Sequence, residues 1–444
     1  LAFLTDRWTL LRHHILQSSF WNAPHRFNVL PCGRRSGKTE LCKRKLVLAA
    51  LRANTGYDDP RYFAAAPTYA QAKRIYWKDL KALMPREFIA DVSESELCIT
   101  TKTGGQLFVV GMDKPERIEG TPWDGGVLDE FANMKASAWG ENVRPALSDR
   151  GGWCDLIGVP EGRNHYYDLW QRSQADMLEH GPASTWGGYH WISADILPDA
   201  EIAEAKRDLD PLTFAQEYEG SFVNFEGRAY YPFDAGTHTA KLADRYQPAQ
   251  PLILCFDFNV APGVAAICQE MLLPNGEQGT GYIGEVHIPR NSNTPAVVAK
   301  LVQDWGHHRG AFICYGDATG GAGGTAKVSG SDWDIVSRDM EIAFGDRVEM
   351  RVPRSNPKER SRVNAVNSRL KAGDDTVRMM VDPTACPNMV RDFEGVRLLA
   401  GGSGELDKKH DTKLTHISDA AGYYIAAEFP VVEREFRQIR AQGV

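Results

Sequence analysis

The chain has 444 residues, 43% of them hydrophobic and 25% charged, with a formal net charge of −7. That length supports two or three domains with cores of their own. The acidic balance argues against a protein that permanently coats nucleic acid, but not against one that grips DNA transiently through local basic patches. No window reaches eighteen consecutive apolar residues, so no transmembrane helix is expected. The opening residues, LAFLTDRW, lack the basic stretch and small-residue cleavage site of a signal peptide, and a start at leucine suggests that a short native segment precedes them. Eight cysteines are scattered without a CxxC pair and read as reduced core residues of a cytosolic protein.

Taken in chain order, residues 1–205 alternate strand-like and helix-like runs. RFNVLP (26–31) reads as a buried strand, followed by a Gly-rich turn and a helix over about 38–53. RYFAAAP (61–67) is a second strand and TYAQAKRIYWKDLKALM (68–84) an amphipathic helix. ELCITTKTGGQLFVVG (96–111) reads as a hairpin turning at Gly104-Gly105, and GGVLDEF (125–131) as a buried strand end. WCDLIGVP (153–160) and YHWISA (189–194) continue the strand pattern. Such alternation predicts a mostly parallel sheet covered on both faces. Residues 206–250, rich in Pro, Gly and aromatics, read as a docked linker. Residues 251–444 follow another plan: a buried strand (PLILCFDFN), two strands around an Asn275-Gly276 turn, a helix (NTPAVVAKLVQDWG) and a strand ending at an acid (AFICYGDATGG). Three antiparallel strands, a helix and a further strand match the opening of an RNase H-like domain.

The stretch GRRSGKT (33–39) stands between a strand and a helix, the context of a phosphate-binding loop. Backbone N–H groups of Gly33, Arg34, Arg35, Ser36 and Gly37 would face phosphates. Lys38 would meet the β- and γ-phosphates of ATP, and Thr39 a Mg²⁺ ion. The strict pattern wants glycine at position 32, where this chain has Cys32. VLDEF supplies the partner motif, 91 residues beyond Lys38: Asp129 ends an apolar strand and suits a water-mediated Mg²⁺ contact, and Glu130 suits a base that polarises the attacking water. A guanidinium in the loop can neutralise charge developing on the γ-phosphate, and Arg34 is the choice for this built-in finger. Arg35 is either structural or reaches DNA. Arg117 either serves the site of a neighbouring subunit or is a surface residue.

GRRSGKT, AAAPTYAQAK, ERIEGTPWDGGVLDEFANM, GVPEGRNHYYDLW and FAQEYEGSFV, in that order ahead of a nuclease-like half, resemble the large terminase subunits of tailed bacteriophages. The resemblance spans nearly the whole chain. It implies an α/β protein with an N-terminal P-loop ATPase domain of the ASCE type (1–205), a linker (206–250) and a C-terminal RNase H-like, RuvC-type nuclease domain (251–444). It also implies ATP-driven movement of double-stranded viral DNA into a procapsid, in the host cytoplasm and without membrane. The implied partners are a portal protein, a small terminase subunit and further copies in a pentameric ring. Arg34 then corresponds to the family's loop arginine, Asp129 and Glu130 to its metal and catalytic acids, and Arg117 to a candidate trans finger. GVPEGRN resembles the family's coupling motif, with Val159 where a hydroxyl residue is common, so sensing falls to Gly162, Arg163 or Asn164. The adenine-reading glutamine corresponds to Gln17, with Arg12 and His13 as rivals.

Two-metal phosphodiester hydrolysis needs carboxylates converging from distant positions, on Mg²⁺ or Mn²⁺. Asp257 closes the apolar run LILCF, Asp317 ends its strand beside a Gly-rich loop, and Asp419 opens a C-terminal helix with a small face. These are the positions at which the resemblance places the acids. Glu285 is either a fourth ligand or a solvent-facing strand residue, and His416 either touches the site or packs. Residues 351–371 and 407–413 are basic and suit phosphate contact. The loop 320–332 either gates the site or is idle. Two other functions remain open on the sequence. One is a host repair helicase-nuclease, which the missing second RecA-like lobe disfavours. The other is a non-catalytic nucleotide-binding scaffold, which the intact Lys38, Glu130, Asp257, Asp317 and Asp419 disfavour.

Overall fold

The structure is a computed structural model that describes residues 7–8, 14–52, 56–223, 227–258, 262–321, 331–399, 404–409 and 414–431. It divides into two compact units, residues 1–202 with 214–224, and residues 203–213 with 225–444.

The first unit is built on eight strands: β1 (Phe27–Pro31), β2 (Arg61–Ala66), β3 (Ile89–Ser93), β4 (Cys98–Thr101), β5 (Gln106–Gly111), β6 (Gly125–Asp129), β7 (Trp153–Gly158) and β8 (Trp186–Gly188), in spatial order 3-4-5-2-6-7-1-8. β3, β4 and β5 pair antiparallel, and the remaining neighbours are parallel. β7 lies between β1, which feeds the phosphate loop, and β6, which ends in Asp129. This inserted strand, with Glu130 directly after β6, is the ASCE arrangement.

Helices α1 (Ile15–Trp21), α2 (Lys38–Arg52), α3 (Tyr69–Ala72), α4 (Lys78–Leu83), α5 (Arg144–Ala146) and α6 (His165–His180) accompany the sheet. Successive strand residues point to opposite faces, so Leu30 joins a core with Leu41, Leu46 and Leu80, while Val29 joins one with Leu156 and Tyr166. A single π-helical turn, Lys73–Trp77, joins α3 to α4, and Tyr76 within it is fully buried.

One expected strand is displaced. Residues 189–194 are not a strand; the ladder with β1 is made by Trp186–Gly188. After Gly188 the chain leaves the sheet edge because its polar groups are used by the phosphate loop, as described below. The composition of 206–250 also conceals regular structure. α7 (Asp199–Asp208) and α8 (Pro211–Glu219) lie where the chain passes between the two sets of residues.

The second unit holds β9 (Leu252–Asp257), β10 (Gly263–Leu272), β11 (Gln278–Ile288), β12 (Phe312–Gly316), β13 (Val348–Met350) and β14 (Met379–Val381), in order 13-12-9-10-11-14. β9, β10 and β11 are antiparallel, the hairpin turning at Gly276, whose φ is +87°. β12 returns parallel beside β9. After the short α9 (Ala235–His238), helices α10 (Thr294–Trp305) and α11 (Asp332–Phe344) cover one face. α12 (Glu359–Leu370), α13 (Pro387–Gly395) and α14 (His416–Glu428) cover the other. Among the described residues no helix is long and apolar enough to cross a membrane.

Candidate active sites

The first site sits where β1 turns into α2. A Cβ on Gly33 would come within 2.2 Å of the Tyr218 carbonyl oxygen, so the backbone of α8 forbids any side chain there. Cys32 is buried in the core, and burial pushes its thiol up to about 12. The glycine requirement has therefore moved one place along the loop. Gly37 has φ +83° and Arg35 φ +59°, the left-handed geometry that curls the loop. The Ser36 carbonyl accepts from Gln17 Nε2 at 2.9 Å and Trp191 Nε1 at 2.8 Å. Gly33 N–H donates to the Trp191 carbonyl, and Ser193 Oγ to the Arg34 carbonyl at 2.6 Å. These bonds are what draws residues 189–193 away from the sheet.

Lys38 Nζ lies 3.2 Å from the Gly33 carbonyl and 3.4 Å from that of Cys32. Thr39 Oγ1 donates to Asp129 Oδ2 at 3.0 Å, and Tyr76 OH to the same oxygen at 2.9 Å. Glu130 is left-handed, φ +54°, and its N–H donates to Asp129 Oδ1. Burial and the adjacent Asp129 raise the Glu130 carboxyl, with Lys38 and Arg34 opposing. Burial likewise raises Asp129 against Lys38 and its own hydrogen bonds. A partly buried carboxylate of raised basicity beside a held acid suits proton abstraction from water. Buried Ser36 Oγ has no hydrogen-bond partner among the described residues. With Lys38 and the N-terminus of α2, this fits a bound triphosphate, although the Gly33 and Arg34 N–H groups, expected to face phosphate, donate instead to the Trp191 and Glu217 carbonyls.

Arg34 is held from outside the loop. Its Nε pairs with Glu217 Oε2 of α8 at 2.5 Å, and its N–H donates to the Glu217 carbonyl at 2.6 Å. Gln17 is buried against the loop through its bond to Ser36; Arg12 and His13 lie outside the described residues. Arg117 is exposed on a short 3₁₀ turn, Pro115–Ile118. Asn164 caps α6 and donates from Nδ2 to the Ala132 carbonyl, linking the segment after Glu130 to that helix, and Gly162 takes φ +62°. Tyr76, Trp191, Ser193 and Glu217 were not found from the sequence. Glu217 lies in the FAQEYEG motif, which carried its signal; the others show no local pattern.

The second site gathers at the ends of β9 and β12. Gly316 is opposite Phe256 in the parallel ladder, and Asp317 N–H donates to the Phe256 carbonyl, so Asp257 and Asp317 leave the sheet side by side. α14 packs on β9, β10 and β12 and brings Asp419 in its first turn. His416 Nδ1 lies 3.4 Å from Asp257 Oδ2. Burial raises the Tyr423 hydroxyl pKa, and after the opposing Arg362 the charges of Asp317, Asp257 and Asp419 raise it further. All three acids thus lie within electrostatic reach of one phenol. Asp317 is opposed by burial, but hydrogen bonds from Asn356 and Thr319 outweigh this and hold its carboxyl below the ordinary value.

The all-oxygen donor set fits a hard divalent cation. The oxygens are nonetheless engaged: Asp419 Oδ1 with Arg362 at 2.5 Å, Asp419 Oδ2 with Lys408 at 3.0 Å, and Asp317 Oδ1 with Asn356 at 2.6 Å and Thr319 at 2.7 Å. Among the described residues no three His, Cys, Asp or Glu side chains stand ready to hold a metal. Glu285 lies on this face of β11 but spends both oxygens on α13, accepting from Asn388 N and Nδ2 and from Met389 N. That is a helix-capping role.

Of the seven cations in the basic run 351–371, expected to suit phosphate contact, Arg351, Arg354 and Lys358 are exposed, whereas two others turn inward. Arg362 and Arg369 are inside, paired with Asp419 and Glu270. Residues 410–413 of the other basic run, and 322–330 of the loop 320–332, lie outside the described residues.

Residues 30–236 match the family model described as terminase large subunit, T4likevirus-type, N-terminal. That stretch is similar to the N-terminal part of large terminase subunits. The large terminase subunit of Thermus phage G20c is 24% identical over 255 residues, 50% of this chain and 51% of that protein. That of Escherichia phage T5 is 25% identical over 225 residues, 49% of each. The chain therefore spans about half the length of the curated terminases it matches. In three dimensions the likeness extends further. The large terminase of the thermophilic bacteriophage D6E superimposes with a TM-score of 0.57 at 15% identity, over 94% of this chain and 99% of that one. At that identity the match speaks for the fold alone. Structures of the D6E large terminase are also known in complex with ADP and with ATP-gamma-S.

Proposed function

We propose that this chain is the large subunit of a phage DNA-packaging terminase. ATP hydrolysis in its first unit drives double-stranded DNA into a procapsid, and a metal-dependent endonuclease in its second unit cuts concatemeric viral DNA. The observation that carries this reading is the Thr39–Asp129 hydrogen bond with Glu130 next to it, at the mouth of a phosphate loop inside a terminase-like stretch. The nucleotide complexes of the D6E terminase support ATP as the ligand.

In this reading the N–H groups of Arg35, Ser36 and Gly37 and the Lys38 ammonium hold the triphosphate, and Thr39 and Asp129 would hold Mg²⁺, which would neutralise phosphate charge when bound. Glu130 takes a proton from water as its oxygen attacks the γ-phosphorus, and ADP leaves. Arg34 stabilises the charge on the transferring group, with Arg117 as the candidate finger supplied in trans. Gly162 and Asn164 relay the change from the Glu130 turn into α6. In the second unit Asp257, Asp317 and Asp419 would hold two Mg²⁺ or Mn²⁺ ions that would polarise the scissile phosphate. The partners in this reading are a portal, a small subunit and a ring of copies in the host cytoplasm.

Phosphate release tests the first half. Glu130→Gln should retain nucleotide binding and lose turnover by about 10²–10⁴-fold. Turnover equal to wild type would remove Glu130 from the reaction.

A further inference from the structure

Arg362 and Asp419 form an ion pair in which the side chains are only 5% and 6% exposed. A buried arginine is costly to desolvate, and its removal would strand the opposing charge. The surroundings are shaped around it. A Cβ on Gly422 of α14 would come within 2.7 Å of Arg362 Cγ, so the helix leaves space at this residue. The guanidinium carbon sits 4.5 Å from the Tyr423 ring centroid. Arg362 Nε is buried and without a hydrogen-bond partner among the described residues. The other Asp419 oxygen is held by Lys408, half exposed, which also bridges to Glu359 at 2.9 Å.

We propose that Arg362 is the resident counter-cation of this carboxylate group, and that a divalent ion enters by taking Asp419 Oδ1 from it. The inference rests on the nuclease reading of the three acids. A dication on that oxygen stands beside a guanidinium that cannot lose its proton, so the two compete. Arg362 and Lys408 thereby offset two of the carboxylate charges without metal, and cation entry requires Arg362 to yield.

The test is Mn²⁺ titration by calorimetry on the full chain, with unfolding temperature measured with and without Mn²⁺, for wild type, Arg362→Gln and Arg362→Lys. Arg362→Gln should unfold at lower temperature without Mn²⁺, gain more from Mn²⁺ than wild type does, and bind it about tenfold more tightly. Arg362→Lys, with a charge but no planar fork, should bind Mn²⁺ more tightly than wild type by a smaller factor, and it decides the matter if the glutamine variant does not fold. Mn²⁺ affinity in both variants equal to or weaker than wild type overturns the proposal. If wild type and both variants bind no Mn²⁺, the nuclease reading itself falls and the inference with it.

Discussion

Gly33 carries the tightest steric restriction in the phosphate loop. A methyl group there would collide with the Tyr218 carbonyl, a backbone atom that cannot swing aside. Gly33→Ala should therefore destabilise the first unit by roughly 2 kcal/mol or more and weaken ATP binding, read by thermal unfolding and nucleotide titration. Stability equal to wild type would contradict this contact. Six non-glycine residues among those described have positive φ, and three of them, Arg35, Glu130 and Thr415, fall within the two candidate sites. Thr415 immediately precedes α14, and such backbone strain tends to collect where function demands a fixed geometry.

Asp392 is a titration test of the second site's foundation. Burial raises its carboxyl to about 7, opposed by the Ser418 N–H and hydroxyl, with His416 and Asp419 also acting on it. Because the folded value exceeds the unfolded one, its contribution to stability is complete below about 4 and is lost as pH rises through about 7. The loss is at most about 4 kcal/mol by linkage. Asp392→Asn keeps an acceptor for Ser418 and should lack that slope in denaturant unfolding at pH 5 and 8. Identical pH dependence in the two proteins would contradict the buried, neutral Asp392.

Elements place these residues, and elements were legible to different degrees. The strand–loop–helix of β1 and α2 and the β10–β11 hairpin were plain, because apolar runs and turn glycines are local signals. The strand expected at 189–194 was misplaced, since what moves it is a set of hydrogen bonds to Gly33, Arg34 and Ser36, more than 150 residues away. α8 was hidden by aromatic and proline composition. Arg362 and Arg369 on α12 were grouped with the cations suited to phosphate contact because a basic run does not disclose that Asp419 and Glu270 wait in the fold to pair with it.

α14 offers the sharpest prediction at this scale. Gly422→Ala should gain about 1 kcal/mol of helix propensity but lose about 1–3 kcal/mol by crowding the Arg362 stem. The net is a less stable protein with weakened Arg362–Asp419 pairing. A rise in melting temperature would show that the arginine has room to spare.

At the scale of the whole molecule, the two candidate sites fall in separate units. Lys38, Thr39, Asp129 and Glu130 all belong to the first, and Asp257, Asp317 and Asp419 all to the second. The candidate acids Asp129, Asp257 and Asp317 were readable because each stands at a strand end, and Asp419 because it opens a helix with a small face. What holds each motif was not, because Tyr76, Glu217, Arg362 and Lys408 act through tertiary contacts. A strand-separating helicase would need a second nucleotide-binding lobe, and the second unit's mixed sheet instead has three antiparallel strands beside β12.

The most direct measurement is plasmid cleavage with Mg²⁺ or Mn²⁺ alongside phosphate release from ATP, in wild type, Asp257→Ala and Lys38→Ala. Asp257→Ala should abolish cutting and spare ATP turnover, and Lys38→Ala should do the reverse. Loss of both activities in each variant would contradict two separate sites.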